Sequence, residues 1–278
     1  FQTLKNMDKV NDIKHERGFT FDQEKATAYA DWDLTNRISS NAMLAKFIDI
    51  VDKNIKELSE KTESAGKTCS SSHGTTGNVI KNVLDVGCGS GALLDHVISR
   101  VNLRSTENLY FHGTDLSDVM IKIAKQQYEE NACSNKIVRN FSQQDMHNLA
   151  EIDDKSVDFM FSCHVLHFTE NVKELSTHIA SKMKSGGRLT ALLIGSEPKE
   201  GRKFPSAYLA DKWIPISLPI GVVKSYGHTV NEWVSAMKEA GFTVSEVLSE
   251  NCNYLIAEGY IFKDDIDLIQ ILIEAVFN

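Results

Sequence analysis

The chain is short of cysteine, proline and basic residues, and each shortage narrows what it can be. Five cysteines in 278 residues, Cys69, Cys88, Cys133, Cys163 and Cys252, form no CxxC pair and leave an odd count. That argues against a disulfide framework and a structural zinc site, and it fits a reducing compartment. All four prolines, Pro198, Pro205, Pro215 and Pro219, fall within residues 196–230, so elsewhere no proline interrupts a helix or strand. No uninterrupted apolar run approaches the length of a bilayer span, and residues 1–18 lack the apolar core of a signal peptide. Thirty Lys and Arg against 38 Asp and Glu give a formal charge of −8, so a long phosphate-neutralising face is not expected. The expectation is a cytoplasmic protein with no membrane insertion, no nucleic-acid partner and no metal.

What is present is globular composition, 42% apolar and 24% charged, enough to bury a sizeable core. Residues 20–60 carry helical spacing, with Ala42, Leu44, Ala45, Phe47, Ile48, Val51 and Ile55 set among charges. Residues 1–60 therefore read as an N-terminal helical cap. The Ser/Thr/Gly-rich stretch 61–78 reads as a flexible linker, and 79–278 as one domain. From Asn82 short apolar runs alternate with amphipathic segments, the signature of βαβ units and a parallel sheet. Strands are expected over 82–86, 108–114, 136–141, 157–162 and 187–194, with helices over 91–101, 117–131 and 171–183. "ENLYFHGTD", residues 107–115, is one letter from a protease recognition site, yet it lies at the spacing of the second strand and reads as native.

The aromatic stretch 196–230 breaks this rhythm and reads as an inserted helical lid. A helix over 229–240 should end at Gly241 as its C-cap. Extended stretches are expected around 242–249 and 252–262, followed by a final apolar helix from Asp264 to Phe277.

"NVLDVGCGSGALLDHV" carries the most chemistry: a buried strand, Gly87, Gly89 and Gly91 in a tight turn, then a helix. Glycines let the backbone approach a ligand, and the helix start presents unpaired N–H groups. The spacing also satisfies a dinucleotide fingerprint, so a nicotinamide cofactor stays open. Asp85, two residues before the first glycine, would repel a pyrophosphate and hold a cationic amino group. Asp115 ends the second strand, where a carboxylate can accept from paired ribose hydroxyls. Asp145, in "SQQDMHNL", follows the third strand and can accept from an exocyclic adenine amine. Three acids at successive strand ends suit a positively charged nucleoside.

The segments "LDVGCGSG", "GTDLSDVMIKIAKQ", "QQDMHNL", "SVDFMFSCHVLHFTE" and "MKSGGRLTALLIG" together resemble the class I S-adenosylmethionine-dependent methyltransferases, in the small-molecule branch of the ubiquinone and biotin pathway enzymes. The resemblance covers roughly residues 80–195. It implies a Rossmann-like α/β fold: a seven-stranded, mostly parallel sheet with a reversed last strand, preceded by N-terminal helices. It implies S-adenosyl-L-methionine as cofactor, lying across the strand C-termini. Carried over by residue, the turn at Gly87, Gly89 and Gly91 would receive the methionine part, with Asp85 near its amino group. Asp115 would bind the ribose hydroxyls, Leu116 would pack on the adenine, and Asp145 would hold the adenine amine beside the Met146 backbone. Cys163 stands where the family places backbone contacts to the methionine moiety. Tyr29, in "FDQEKATAYADW", matches a position where related enzymes fold an N-terminal helix over the cofactor.

The function expected is methyl transfer to a small organic acceptor, with O-methylation of a carboxylate or hydroxyl favoured. His164 and His167 follow the fourth strand and are candidates for a general base or an acceptor-orienting group, His167 ahead. Tyr208, Trp213, Tyr226 and His228 in or beside the insertion are candidates for the substrate pocket. Two rival readings stay open: a nicotinamide-dependent oxidoreductase, and a non-catalytic cofactor-binding interaction module with the final apolar helix as its interface.

Overall fold

The apolar runs of residues 81–198 become strands because they are too short for buried helices and are separated by turns and amphipathic stretches. A computed structural model describes residues 34–66, 81–100, 109–130, 138–218 and 221–278. Helix α1 spans Leu34–Ser40 and α2 spans Ala42–Gly66. Strand β1 (Lys81–Val86) leads through the glycine turn into α3 (Ala92–Arg100). Then come β2 (Leu109–Asp115), α4 (Asp118–Glu130), β3 (Val138–Gln143) and β4 (Val157–Cys163). Next are α5 (Val172–Lys182) and β5 (Met183–Pro198). The insertion holds α6 (Ser206–Asp211), β6 (Trp213–Leu218) and β7 (Gly221–Tyr226). Helix α7 (Val230–Glu239), β8 (Phe242–Asn251) and β9 (Ile266–Phe277) finish the chain.

Seven strands form one sheet in the order β3-β2-β1-β4-β5-β9-β8. Neighbours from β3 to β5 pair parallel, and β9 runs antiparallel to both β5 and β8. The expected reversed last strand is β9. On one face α2, α3 and α4 bury Phe47, Ile48, Val51, Leu94, Val97 and Ala124 against Phe111, Phe159, Phe161 and Leu192. On the other, α5 and α7 bury Leu175, Ile179, Trp233 and Met237 against Leu84, Met160, Leu189 and Ile271.

The C-terminal expectation needs correcting. Residues 266–277 are a strand inserted between β5 and β8, not a helix, and 252–262 hold a 3₁₀ turn at Asn253–Leu255 and a lone bridge, Ile256 to Ile216. "IDLIQILIEAVF" is covered on both faces, so it shows almost no polar alternation, and an apolar run of that kind fits a buried strand or a buried helix equally. Its burial also removes the interface expected of a C-terminal helix. Helix α2 runs six residues into the stretch read as linker, to Gly66; residues 67–78 lie outside the described residues. The insertion contains one six-residue helix and the β6–β7 hairpin, so it is not a helical lid. Helix α7 matches expectation: Thr229 and Glu232 form a capping box, and Gly241 takes φ +102° just past its end.

Helix α2 is not an appendage. Phe47 meets Phe161 edge-on at 6.5 Å between ring centroids, and Arg188 Nη1 on β5 donates to Asn54 Oδ1 and Glu57 Oε2 at 2.6 and 2.7 Å. Among the described residues no helix is long and apolar enough to cross a membrane.

Candidate functional site

Strand order reverses direction between β1 and β4, so the loops leaving their carboxyl ends diverge and open a crevice, as expected for an open α/β sheet. The crevice holds about 1540 Å³ and is lined by residues from the ends of β1, β2, β3, β4 and β5, by α1 and the start of α2, and by the insertion. That is larger than the roughly 300–1,000 Å³ of a single small-molecule pocket.

The glycine turn is shaped by two carbonyl contacts. Gly87 and Cys88 N–H both donate to Thr114 O, at 2.7 and 2.9 Å, pinning the exit of β1 to the exit of β2. Gly87, Gly89 and Gly91 have φ of +77°, +54° and +80°, the left-handed region where a side chain is strained. Gly87 is also closed sterically, since a Cβ there would stand 2.1 Å from Val165 Cγ2. Gly89 differs: nothing lies within 4 Å of where its Cβ would be, and it lines the crevice. A ligand can rest against its backbone.

Asp115 is reached through this turn. Its Oδ2 accepts from Gly89 N–H at 3.0 Å and its Oδ1 from Ser117 N–H at 2.9 Å. Each carboxylate oxygen accepts more than one hydrogen bond, so both retain capacity toward the crevice. Burial raises its pKa, and the two N–H donors act against that rise. Asp85 sits behind the turn, away from the crevice wall. Its Oδ2 has no partner, and burial, then repulsion from Asp115, pushes its pKa well up. Asp145 lines the crevice and accepts from His147 N–H at 2.9 Å, and its Oδ1 lies 2.8 Å from His147 Nδ1. His147 Nε2 lies 3.0 Å from Thr169 Oγ1, so a carboxylate, an imidazole and a hydroxyl link the β3 loop to the β4 loop. Leu116, Met146 and Cys163 line the same wall. Tyr29 lies outside the described residues.

The two histidines after β4 are held differently from a general base. His164 takes φ +57° as the chain turns out of the sheet, and its N–H donates to Leu192 O at 2.6 Å. Its Nε2 is buried without a partner, its Nδ1 lies 3.8 Å from Cys163 Sγ, and burial takes its pKa down to about 3. His167 is buried in the 3₁₀ turn Leu166–Phe168. Strand β4 ends at Cys163, opposite Leu192, so the next donor of β5 has no strand to pair with. The imidazole replaces it: Ile194 N–H donates to His167 Nδ1 at 3.3 Å. Burial, then His164 beside it, holds the His167 pKa well below the usual histidine range. A neutral ring with Nδ1 accepting carries its proton on Nε2. His167 therefore offers the crevice a donor, not a base.

Of the four insertion residues, Tyr226 lines the crevice and the others do not. Tyr208 is fully buried, its hydroxyl 2.5 Å from Ser196 Oγ and donating to Gly227 O at 2.9 Å. His228 Nε2 donates to Thr169 O at 3.0 Å. Trp213 packs on Tyr260 and under Lys224. These three fix the insertion onto the sheet, which explains why aromatic composition alone misplaced them. The crevice is walled instead by Phe168, Ile194, Ile216, Val223 and Leu255, and by Arg37, Ser40 and Asn41 of the N-terminal helices. No pattern marked these residues, because strands far apart in sequence bring them together. Among the described residues no cluster of His, Cys, Asp and Glu could hold a metal ion.

Comparison with known proteins agrees with this geometry. Residues 84–191 match the family model described as a methyltransferase domain. The biotin biosynthesis bifunctional protein BioHC of Teredinibacter turnerae is 27% identical over 124 residues, 45% of this chain and 21% of that protein. A highly reducing polyketide synthase, verA, of Penicillium polonicum is 24% identical over 162 residues, 58% of this chain and 6% of that one. The chain thus spans a small fraction of these curated relatives. Among solved structures, geranyl diphosphate C-methyltransferase of Streptomyces coelicolor A3(2), in complex with Mg²⁺, geranyl diphosphate and S-adenosyl-L-homocysteine, matches with TM-score 0.51. Its identity is 13%, with 80% of this chain and 79% of that chain covered. The [4+2]-cyclase SpnF matches with TM-score 0.52 at 16% identity over 81% of each chain. At these identities the structural matches establish the fold alone.

Proposed function

We propose that this chain, which carries a class I methyltransferase domain over residues 84–191, uses S-adenosyl-L-methionine to methylate a small organic molecule. The observation that carries the reading is the joint arrangement of Gly89 and Asp115. An open glycine backbone and a carboxylate bonded to it face one crevice at the switch point of the sheet. That combination receives a ligand with a chain end for the turn and a diol for the acid.

When bound, the cofactor supplies an activated sulfonium methyl, so the protein needs no nucleophile of its own. What the chain must do is hold and align. Gly87 and Gly89 would take the methionine portion, with Asp85 behind the turn near its ammonium group, whose positive charge would favour ionisation of that buried carboxyl. Asp115 would accept from the ribose hydroxyls, Leu116 and Met146 would flank the adenine, and Asp145 would accept from its amine. Cys163 ends β4 where its backbone faces the methionine portion. Alignment of an acceptor with the methyl and sulfur is worth up to about 7–11 kcal/mol in ideal cases, which makes positioning the main catalytic task. His167 would orient the acceptor through Nε2–H, and His164, on the crevice wall with its Nε2 enclosed and unpartnered, would serve as a structural group.

The acceptor lies on the side lined by the insertion and by Phe168 and Ile194, and a hydroxyl or carboxylate is the accepting group favoured. Residues 1–60 would cap the cofactor side, consistent with Arg37, Ser40 and Asn41 on the crevice wall, and 196–230 would cover the acceptor. The free thiols Cys88, Cys163 and Cys252 suit a cytoplasmic setting. Calorimetry with S-adenosylhomocysteine and NAD tests the assignment. Binding of the homocysteine derivative with no heat from NAD is the expected result, and NAD-only binding overturns it.

A further inference from the structure

Gln270 is a polar residue in the middle of the most apolar strand of the sheet. Its same-face neighbours along β9 are Leu268 and Leu272, both buried, and it is itself only 4% exposed. It stands in register with Ile194 on β5 and Glu250 on β8. No hydrogen bond joins its carboxamide to any described residue, and its amide atoms are not sealed in the core but open on the crevice. A nearly buried amide with no protein partner is only partly hydrated, and a third leucine between Leu268 and Leu272 would avoid that cost. The open side of Gln270 is the crevice, which it lines.

A second polar group converges on the same floor. Ile194, the register partner of Gln270, donates its N–H to His167 Nδ1. This fixes the proton of the neutral ring on Nε2. Phe168, Ile194, Ile216, Val223 and Leu255 make the apolar part of the surrounding wall, with Ser217, Lys224, Glu250 and Asn251 also lining it. A carboxamide that both donates and accepts, beside an N–H donor, matches an oxygen that also does both. A carboxylate would meet two neutral groups here and the Glu250 carboxylate in register with Gln270, while the crevice cations Arg37 and Lys224 are carried on other elements.

We propose that Gln270, with His167, forms the acceptor-recognition site of this crevice and selects a neutral hydroxyl or carbonyl oxygen carried on an otherwise apolar molecule. The inference deepens the methyltransferase reading and rests on it for the word acceptor. It concerns recognition: the oxygen held by Gln270 anchors the molecule while the cofactor side stays with Gly89 and Asp115.

The test uses the full chain saturated with S-adenosylhomocysteine, and three matched probes: 2-naphthol, 2-methylnaphthalene and 2-naphthoate. The wild type is expected to bind 2-naphthol at least about tenfold more tightly than the other two. In Gln270→Leu the preference should vanish while S-adenosylhomocysteine affinity stays unchanged, and the melting temperature should hold or rise because an unpaired amide is removed. Equal binding of the three probes, binding of none, a preference kept by Gln270→Leu, or a melting temperature lowered by the substitution each overturns the proposal. Failure of S-adenosylhomocysteine to bind sinks the methyltransferase reading instead, and the probe comparison repeated without it still decides the role of Gln270.

Discussion

Asp115 Oδ2 accepts a hydrogen bond from Gly89 N–H at 3.0 Å, so the acid at the end of β2 holds the glycine turn that follows β1. One residue thus shapes the turn and faces the crevice. Asp115→Ala removes both a charged acceptor and the clamp on the turn. With charge-assisted bonds worth about 1.5–3 kcal/mol each, S-adenosylhomocysteine affinity should fall by about two orders of magnitude in calorimetry, with the far-ultraviolet circular dichroism of the fold retained. Unchanged affinity would remove Asp115 from the site.

Gly87 and Gly89 separate stability from binding. Gly87→Ala drives a Cβ into Val165 at 2.1 Å and forces a left-handed backbone. Overpacking and backbone strain together should cost about 3 kcal/mol or more in denaturant unfolding. Gly89→Ala meets no atom within 4 Å, so it should cost only the backbone term of about 1–2 kcal/mol. Its methyl projects into the crevice, however, and S-adenosylhomocysteine affinity should drop at least about tenfold. Equal stability losses for the two variants would contradict this placement of the turn.

His164 gives the protein an acid sensitivity with a definite sign. Its pKa, brought down by burial to about 3, lies below the roughly 6.5 of the unfolded chain. As pH falls below 6.5 the unfolded state binds a proton that the native state refuses, so stability is lost on acidification. Between pH 7.5 and 5.5 the wild type should lose about 1.4 kcal/mol relative to His164→Gln. Paired urea titrations at the two pH values measure the difference, and a gap that does not change with pH would show that His164 ionises freely in the fold.

Phe47 reports whether the N-terminal helices belong to the fold. The side chain is fully buried against Phe161 in the core shared by α2 and the sheet. Phe47→Ala should destabilise the whole domain by about 3–5 kcal/mol in a single cooperative transition. A separate early transition, with the sheet left intact, would show instead that α2 is an independent cap.

The alternation of apolar runs with amphipathic stretches placed the strands and helices from Lys81 to Pro198 within a few residues, because covalent periodicity decides which side of an element is apolar. Glycines at 87, 89 and 91 and acids at 85, 115 and 145 marked the turn and the strand ends for the same local reason. The sequence by itself therefore determined the βαβ rhythm and the residues proposed for the cofactor side of the crevice. Three features depended on tertiary structure. Residues 266–277 became a strand because they pair with both β5 and β8 while the two cores bury their faces, and a segment covered on both faces carries no periodic signal to read. Tyr208 was drawn into a hydrogen bond with Gly227 O and His228 into one with Thr169 O, and His167 lost its free lone pair to a donor of β5 beyond the end of β4. Gln270 is the one amide within the run 266–277, and no local pattern marked it, because its place depends on Ile194 in register and His167 beyond it, 76 and 103 residues away along the chain. Such contacts are set by which strands pair, and strand pairing is decided by burial across the whole sheet and not by neighbours in the chain.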